Sequence, residues 1–188
     1  MNVPNCRFWR RLLGMCVLAA CLCSPPLPAM AGDSAEAFMS VTFGLSAART
    51  QKRMENSGAV AASSLQDERL NMKGTFESRS TIFTFGFHSK KGLNYKAAFL
   101  GSTGSAEEDR AFYDVLREAY NTRFGQSKER VTTKAQVKGG LTLRSVWTPD
   151  KYTTIALSLD PEQTNRFPGD SPGKRPIHLI YVYSKWTK

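Results

Sequence analysis

Apolar residues recur at two spacings along this chain, and the spacings divide it into elements. Phe112, Val115, Leu116, Ala119 and Tyr120 repeat every three or four positions, which lines one face of a helix. Ser105 followed by Glu108 has capping-box spacing, Glu107 and Asp109 suit the positive end of the helix dipole, and Arg123 and Gly125 mark a C-terminus. The pattern predicts a helix over 106–124. A second, with a thin apolar face, is predicted from an N-cap at Ser46 through Ala47, Thr50 and Met54 to Gly58. Residues 59–66 read as a connector of small residues.

Elsewhere the alternation has period two, as in strands. Leu70, Met72 and Phe76 share one face of a first strand, Phe83, Phe85 and Phe87 one face of a second, and Leu93, Tyr95, Ala97 and Phe99 one face of a third. Ser89-Lys90-Lys91-Gly92 has the length and glycine of a hairpin loop, so the second and third strands should pair antiparallel. After the long helix the alternation returns in Val131, Thr133, Ala135 and Val137, then in Leu141, Leu143 and Ser145 to Trp147, with Gly139-Gly140 as the turn between. Thr148-Pro149-Asp150-Lys151 makes the next turn and Ile155, Leu157 and Leu159 the next strand. A polar loop over 161–175 follows. The final strand, with Ile177, Leu179, Tyr181 and Tyr183 on one face and Ile180 and Val182 on the other, is apolar on both sides and reads as central.

These elements predict an α+β domain over 43–188, in which an antiparallel sheet of about six strands carries two helices on one face. The order is αβββ-αβββ, with halves of about 43–103 and 104–188 that look like a tandem duplication. The other sheet face is left to solvent or a partner. Residues 32–42 are read as a flexible segment.

The N-terminus changes the picture. Arg7, Arg10 and Arg11 precede the apolar run from Leu12 to Cys23, which is too short to span a bilayer, where about 20 apolar residues are needed, and Ser24-Pro25-Pro26 breaks it. This predicts an export signal over 1–31, cleaved after Ala31 in Ala29-Met30-Ala31. The alternative is lipidation of Cys21 in the lipobox-like Leu18-Ala19-Ala20-Cys21, which would tether the chain to a membrane. The expected location is periplasmic or secreted, with a membrane-anchored lipoprotein as the alternative. All four cysteines, Cys6, Cys16, Cys21 and Cys23, lie upstream of Ala31, so the processed chain would hold no disulfide. The formal charge of +10 loses three arginines and no acid with the signal, leaving +7, a balance that favours anionic partners.

Chemistry is sparse. His88 and His178 are the two histidines and stand 90 residues apart, so no metal set is predicted, and they read as strand residues. No Gly-x-Ser-x-Gly elbow is present, and Glu107, Glu108 and Asp109 are explained by the first helical turn. The glycines of 101–104 before the long helix read as a turn and cap, not a phosphate loop. Aromatic and basic residues interleave over 83–99 and 177–186, but Phe83, Phe85 and Phe87 read as core and no nucleic-acid partner is expected. No catalytic residue and no cofactor are predicted. Candidate partner-binding residues are Arg166, Phe167, Lys174 and Arg175 on the 161–175 loop, because long loops often bind something, together with Tyr152 and Trp186 and the lysines around them.

The helix-then-strands order, the Phe43-Gly44-Leu45-Ser46 entry to the first helix, and Trp147 with Tyr181 to Ser184 near the C-terminus resemble small exported bacterial proteins. These are the β-lactamase-inhibitory proteins and the small lipoproteins of the outer-membrane β-barrel assembly machine. The resemblance spans 40–187 and implies a scaffold that binds protein instead of catalysing a reaction. It carries over no functional residue. The reading is a non-enzymatic exported module that binds a protein or an anionic envelope component through the open sheet face and the 161–175 loop. The alternative is a carrier of a small apolar ligand in a pocket lined by Phe85, Tyr95 and Phe112.

Overall fold

The computed structural model describes residues 34–133, 141–160, 164–165 and 173–186. The expected signal over 1–31, with Cys21 and Ala31, lies outside the described residues, as do Arg166, Phe167 and the Gly139-Gly140 turn. The elements are α1 (Ser34–Ser40), α2 (Ala47–Glu55), β1 (Val60–Ala61), β2 (Arg69–Phe76), β3 (Arg79–His88), β4 (Gly92–Leu100), α3 (Ala106–Phe124), β5 (Lys128–Thr133), β6 (Leu141–Trp147), β7 (Thr153–Leu159), β8 (Thr164–Asn165), β9 (Gly173–Lys174) and β10 (Ile177–Tyr183), followed by a 3-10 turn over Ser184–Trp186.

Among the described residues the fold is α+β, with three helices and one open antiparallel sheet of eight strands in the order β1-β2-β3-β4-β10-β7-β6-β5; β8 and β9 form a separate ladder. This is one helix, α1, more than the pattern predicts, and the sheet exceeds the expected six or so strands; of its eight, only β1 has no counterpart among the strands marked out by alternation. Seven residues of α1 and two of β1 are too short to display a period, and both are held by what they pack against. Residues 34–40, read as flexible, are helix, and Phe38 is fully buried among the rings of Phe76, Phe83, Phe85 and Tyr181. The 161–175 segment likewise contains the β8–β9 ladder.

β10 is central, between β4 and β7, as its two apolar faces require. The β3–β4 hairpin forms as expected, and its turn ends on Gly92 at φ +78, where a Cβ would stand 2.5 Å from the Gly44 carbonyl oxygen. Two other hairpin turns, Asp67-Glu68 and Glu77-Ser78, hold both central residues at positive φ without a glycine. That geometry suits the twist of the strands it joins, but its usual sequence signal is Asn-Gly or Asp-Gly.

One register detail overturns an expected face. Gly86 pairs with Tyr95 but Phe87 pairs with Leu93, so Asn94 is an extra residue that bulges out of the ladder. Beyond it the alternation flips. Leu93, Lys96, Ala98 and Leu100 therefore stand on the helix side, opposite Phe87, Phe85, Phe83 and Thr81, while Tyr95, Ala97 and Phe99 stand on the other. A lysine thus enters the core where the simple pattern put an alanine.

Helix α3 has the predicted ends but a rotated face. Asp109, Tyr113, Leu116 and Tyr120 are buried, and Val115 is 65% exposed. Polar contacts set the rotation: Tyr113 Oη and Ser145 Oγ are 2.8 Å apart, and Asp109 is ion-paired with the buried Arg79 and accepts from Ser102 Oγ at 2.6 Å. Asp109 is therefore more than a dipole complement. Arg79 also donates to the Gly101 carbonyl and lies over the Phe112 ring, so one guanidinium ties the β2–β3 turn to the start of α3. At the other end Trp147 Nε1 donates to Asn121 Oδ1 and to the Gly125 carbonyl, both at 3.1 Å.

Candidate functional site on the open sheet face

The core side of the sheet has one feature that resembles a reactive centre. Lys96 is 4% exposed, and its Nζ donates to the carbonyls of Phe38, Met39 and Val41 at 2.9, 3.2 and 2.8 Å, capping the end of α1. It lies 4.6 Å from the centre of the Tyr181 ring and 5.0 Å from that of Phe38. Burial, then the charges of Arg123 and Arg53, pull its pKa down to about 7. The Tyr120 and Tyr181 hydroxyls hydrogen-bond to each other beside it, and both oxygens lie 3.1 Å from Met39 Sδ, so one phenol donates to its neighbour and the other to the sulfur. Burial pushes both phenols up, Tyr181 to about 12. Perturbed groups often mark active sites, but here all three ammonium protons have carbonyl acceptors inside the fold. Lys96 is a buried helix cap.

The opposite face is composed differently. Pairing places Arg69, Asn71, Lys73 and Thr75 of β2 on it, then Ile82, Thr84 and Gly86 of β3 and Tyr95, Ala97 and Phe99 of β4. Across the centre follow His178, Ile180 and Val182 of β10, Thr154, Ala156 and Ser158 of β7, Arg144 and Val146 of β6, and Lys128 and Arg130 of β5. The middle is apolar or small. Cations stand toward both sides, on β2 and on β5 and β6; no Asp or Glu occupies a strand position on this face among the described residues, while the exposed Asp67 and Glu68 stand in the turn that leads into β2. Arg130 and Arg144 stand directly opposite each other, both exposed, and neither has a carboxylate partner among the described residues. Like charges in directly opposed positions destabilise a ladder. Glu129, between Lys128 and Arg130, points to the helix side and pairs with Arg117 at 3.1 Å.

A groove of about 910 Å³ crosses the β2–β4 end of this face, its wall built by the Gln66–Arg69 hairpin and its floor by Asn71, Gly86, Tyr95 and Phe99. Gly86 is why the floor is low: its missing side chain leaves room for Tyr95, whose Cβ would lie 3.2 Å from a Cβ there. Burial raises the Tyr95 pKa, against the lowering effect of Arg69.

The sequence-derived sites fare unequally. Arg175 is 6% exposed, and its Nη1 donates to the carbonyls of Ser80 and Phe99, so it secures the β3–β4 end. Lys174 is exposed on β9, where its carbonyl accepts from Ser102 N. Tyr152 and Trp186 come together, both packing on Tyr183. The pocket of Phe85, Tyr95 and Phe112 does not form, because Phe85 is buried in the core, Tyr95 is on the far side of the sheet and Phe112 lies under Arg79. His88 Nδ1 accepts from Lys90 N, closing the hairpin turn, and His178 stacks edge-on with Phe99. The open-face cations were missed because a cation in an alternating strand reads as ordinary solvent exposure; only the register sets Arg130 against Arg144.

Among the described residues no three His, Cys, Asp or Glu side chains converge as metal ligands, and no helix is long and apolar enough to cross a membrane. No family model, curated protein or solved structure matches this chain.

Proposed function

We propose that this chain is a non-enzymatic, exported binding module that holds an acidic protein partner on the open face of its sheet. The observation that carries the reading is the Arg130–Arg144 pair, a ladder position that costs stability and is relieved by an anion laid across it. Arg69 and Lys73 place positive charge at the opposite edge, and Tyr95, Phe99, Ile180 and Val182 supply the apolar middle on which a partner can bury surface. The seven spacings between eight strands, at about 4.8 Å each, and seven residues at about 3.4 Å make a face of about 800 Å², comparable to the area each partner gives to a standard protein–protein interface. A basic rim around an apolar centre steers association and fixes orientation.

The reading extends to the origin of the face. Each half, α2 with β1 to β4 and α3 with β5, β6, β7 and β10, runs helix then four-strand meander, and the two last strands pair at the centre; we read this as one duplicated module.

The test is recovery of partner from envelope extract at two salt concentrations by wild type, by R130E/R144E and by R49E/K52E, whose exposed residues lie on α2 and change the charge equally. An acidic protein retained by wild type and the α2 variant, and lost by the sheet variant and at high salt, is the expected result. Equal loss in both variants would reduce the effect to net charge, and undiminished recovery by the sheet variant would remove the open face from the reading.

A further inference from the structure

One end of the sheet gathers an aromatic cluster and a set of lysines that the reading above does not use. β3 ends there, β4 and β7 begin there, and β10 finishes there, so the 89–91 turn, the 148–152 turn and the 184–186 turn are neighbours. Tyr183 is the hub. Phe43 stacks on it at 5.1 Å between ring centres, Trp186 meets it edge-on at 4.7 Å and Tyr152 at 5.9 Å, and all four rings stay half-exposed. Trp186 is placed by the chain entering α2, because Gly44, at φ +89, leaves space where a Cβ would stand 3.4 Å from the indole. The Ser184 amide donates to the Tyr152 carbonyl, joining the two outer turns.

Around these rings stand Lys90, Lys91, Lys151 and Lys185, all exposed. Lys151 Nζ lies 5.5 Å and Lys185 Nζ 5.3 Å from the centre of the same Tyr152 ring, so two ammonium groups are drawn to one ring and repel each other. The one carboxylate of the three turns, Asp150, has an Oδ1 already accepting from Tyr152 N and Thr153 N, which lowers its pKa. The excess charge of these three turns is therefore positive and at the surface.

Half-exposed Trp and Tyr beside lysines is the composition that seats at a bilayer surface, where the rings lie at headgroup depth and the ammonium groups meet phosphates. We propose that this end of the sheet is a docking surface for an anionic lipid bilayer, with Trp186, Tyr152 and Tyr183 at the interface and Lys90, Lys91, Lys151 and Lys185 on the headgroups. Charge complementarity selects the occupant. The strands then stand on the membrane by their ends, and the open face stays free, so this surface works beside the protein-binding one and does not depend on it.

Flotation of the purified processed chain with vesicles of phosphatidylglycerol and phosphatidylethanolamine, and with vesicles of phosphatidylcholine alone, tests it, with Trp186 emission as a second readout. Binding to the anionic vesicles with a blue shift that W186F abolishes is expected. Each lysine near the surface contributes about fivefold to affinity, so K151E/K185E should bind at least about 25-fold more weakly while its melting temperature stays within a few degrees of wild type. A lipid on Cys21 would hold the chain on both vesicle types and leave K151E/K185E bound, and that result overturns the proposal. So do absence of binding, equal binding to both compositions without a shift, or binding to poly-glutamate in place of vesicles, which would give the patch to an acidic peptide. R130E/R144E binds vesicles like wild type, which keeps failure here separate from failure of the open-face reading.

Discussion

The two faces of one sheet use the same cations for opposite ends. On the helix side, Lys96 and Arg79 are buried, each with its donors aimed at carbonyls or a carboxylate, and each joins a helix to the sheet. On the open side, Arg130 and Arg144 are exposed, face one another and bind no carboxylate among the described residues. Burying a charge without partners is far too costly to survive, so a buried cation always has a structural explanation. An exposed like-charge pair has none inside the fold. The difference teaches where to look for a partner: at charge the fold tolerates but does not use.

Substitution should separate the faces sharply. Asp109→Ala leaves Arg79 buried without its carboxylate and should cost about 3–5 kcal/mol, read as a shift in the denaturation midpoint. A loss under about 1 kcal/mol would break the claim that this pair is structural. Lys96→Met keeps the stem's packing but strips three carbonyls of their donor, and should cost about 2–3 kcal/mol by the same measurement.

Lys96 also gives the comparison a pH axis. Its folded pKa of about 7 lies below the unfolded value of 10.5, so between those limits the unfolded chain binds a proton the folded chain does not. Stability should rise with pH across that window by up to about 1.4 kcal/mol per unit, and the gain is lost as pH falls back through about 7. Above pH 10 the sign reverses: Tyr181, raised to about 12, and Tyr120, raised too, stay neutral in the fold while their unfolded forms ionise. Denaturation midpoints across pH 6 to 12 should peak near about pH 10, and Lys96→Met should flatten the rising limb alone. A rising limb that persists in the variant would assign it to another group.

The smallest effect belongs to the open face. Arg144→Ala should leave stability within about 0.5 kcal/mol of wild type, with the sign toward stabilisation because a like-charge contact is removed. A loss above about 1 kcal/mol would mean the arginine is holding the fold, and the face would lose its standing as a site.

What the sequence made legible was local. The ends of α3 are set by Ser105, whose side chain accepts from Glu108 N, and by Gly125, so nearest neighbours sufficed. The β3–β4 hairpin followed from its glycine, and the central place of β10 from apolar residues on both its faces. The rest depended on distant partners. Which face of α3 turns inward was decided by Arg79, 30 residues from Asp109, and by Ser145, 32 residues from Tyr113. Asn94 gave no sign that it would bulge, and that single insertion exchanged the faces of Tyr95 and Lys96. Arg175 read as a loop anchor because its acceptors, Ser80 and Phe99, lie 95 and 76 residues upstream. At the candidate sites, Tyr152 and Trp186 were legible as surface aromatics, while their convergence on Tyr183 and the opposition of Arg130 and Arg144 needed the pairing of strands.

The central strand has a temporal consequence. β10 is the last described strand in chain order, yet it fills the gap between β4 and β7, so until it arrives both present a bare row of backbone donors and acceptors. Its partners on β4 lie about 80 residues earlier, and contacts of such separation form late. Folding of this chain therefore waits on its final segment. A chain caught before that pairing would expose the bare edges of β4 and β7, the condition in which strands recruit other chains. A holding factor, or delivery of the chain in an extended state, is what would carry it safely through that wait.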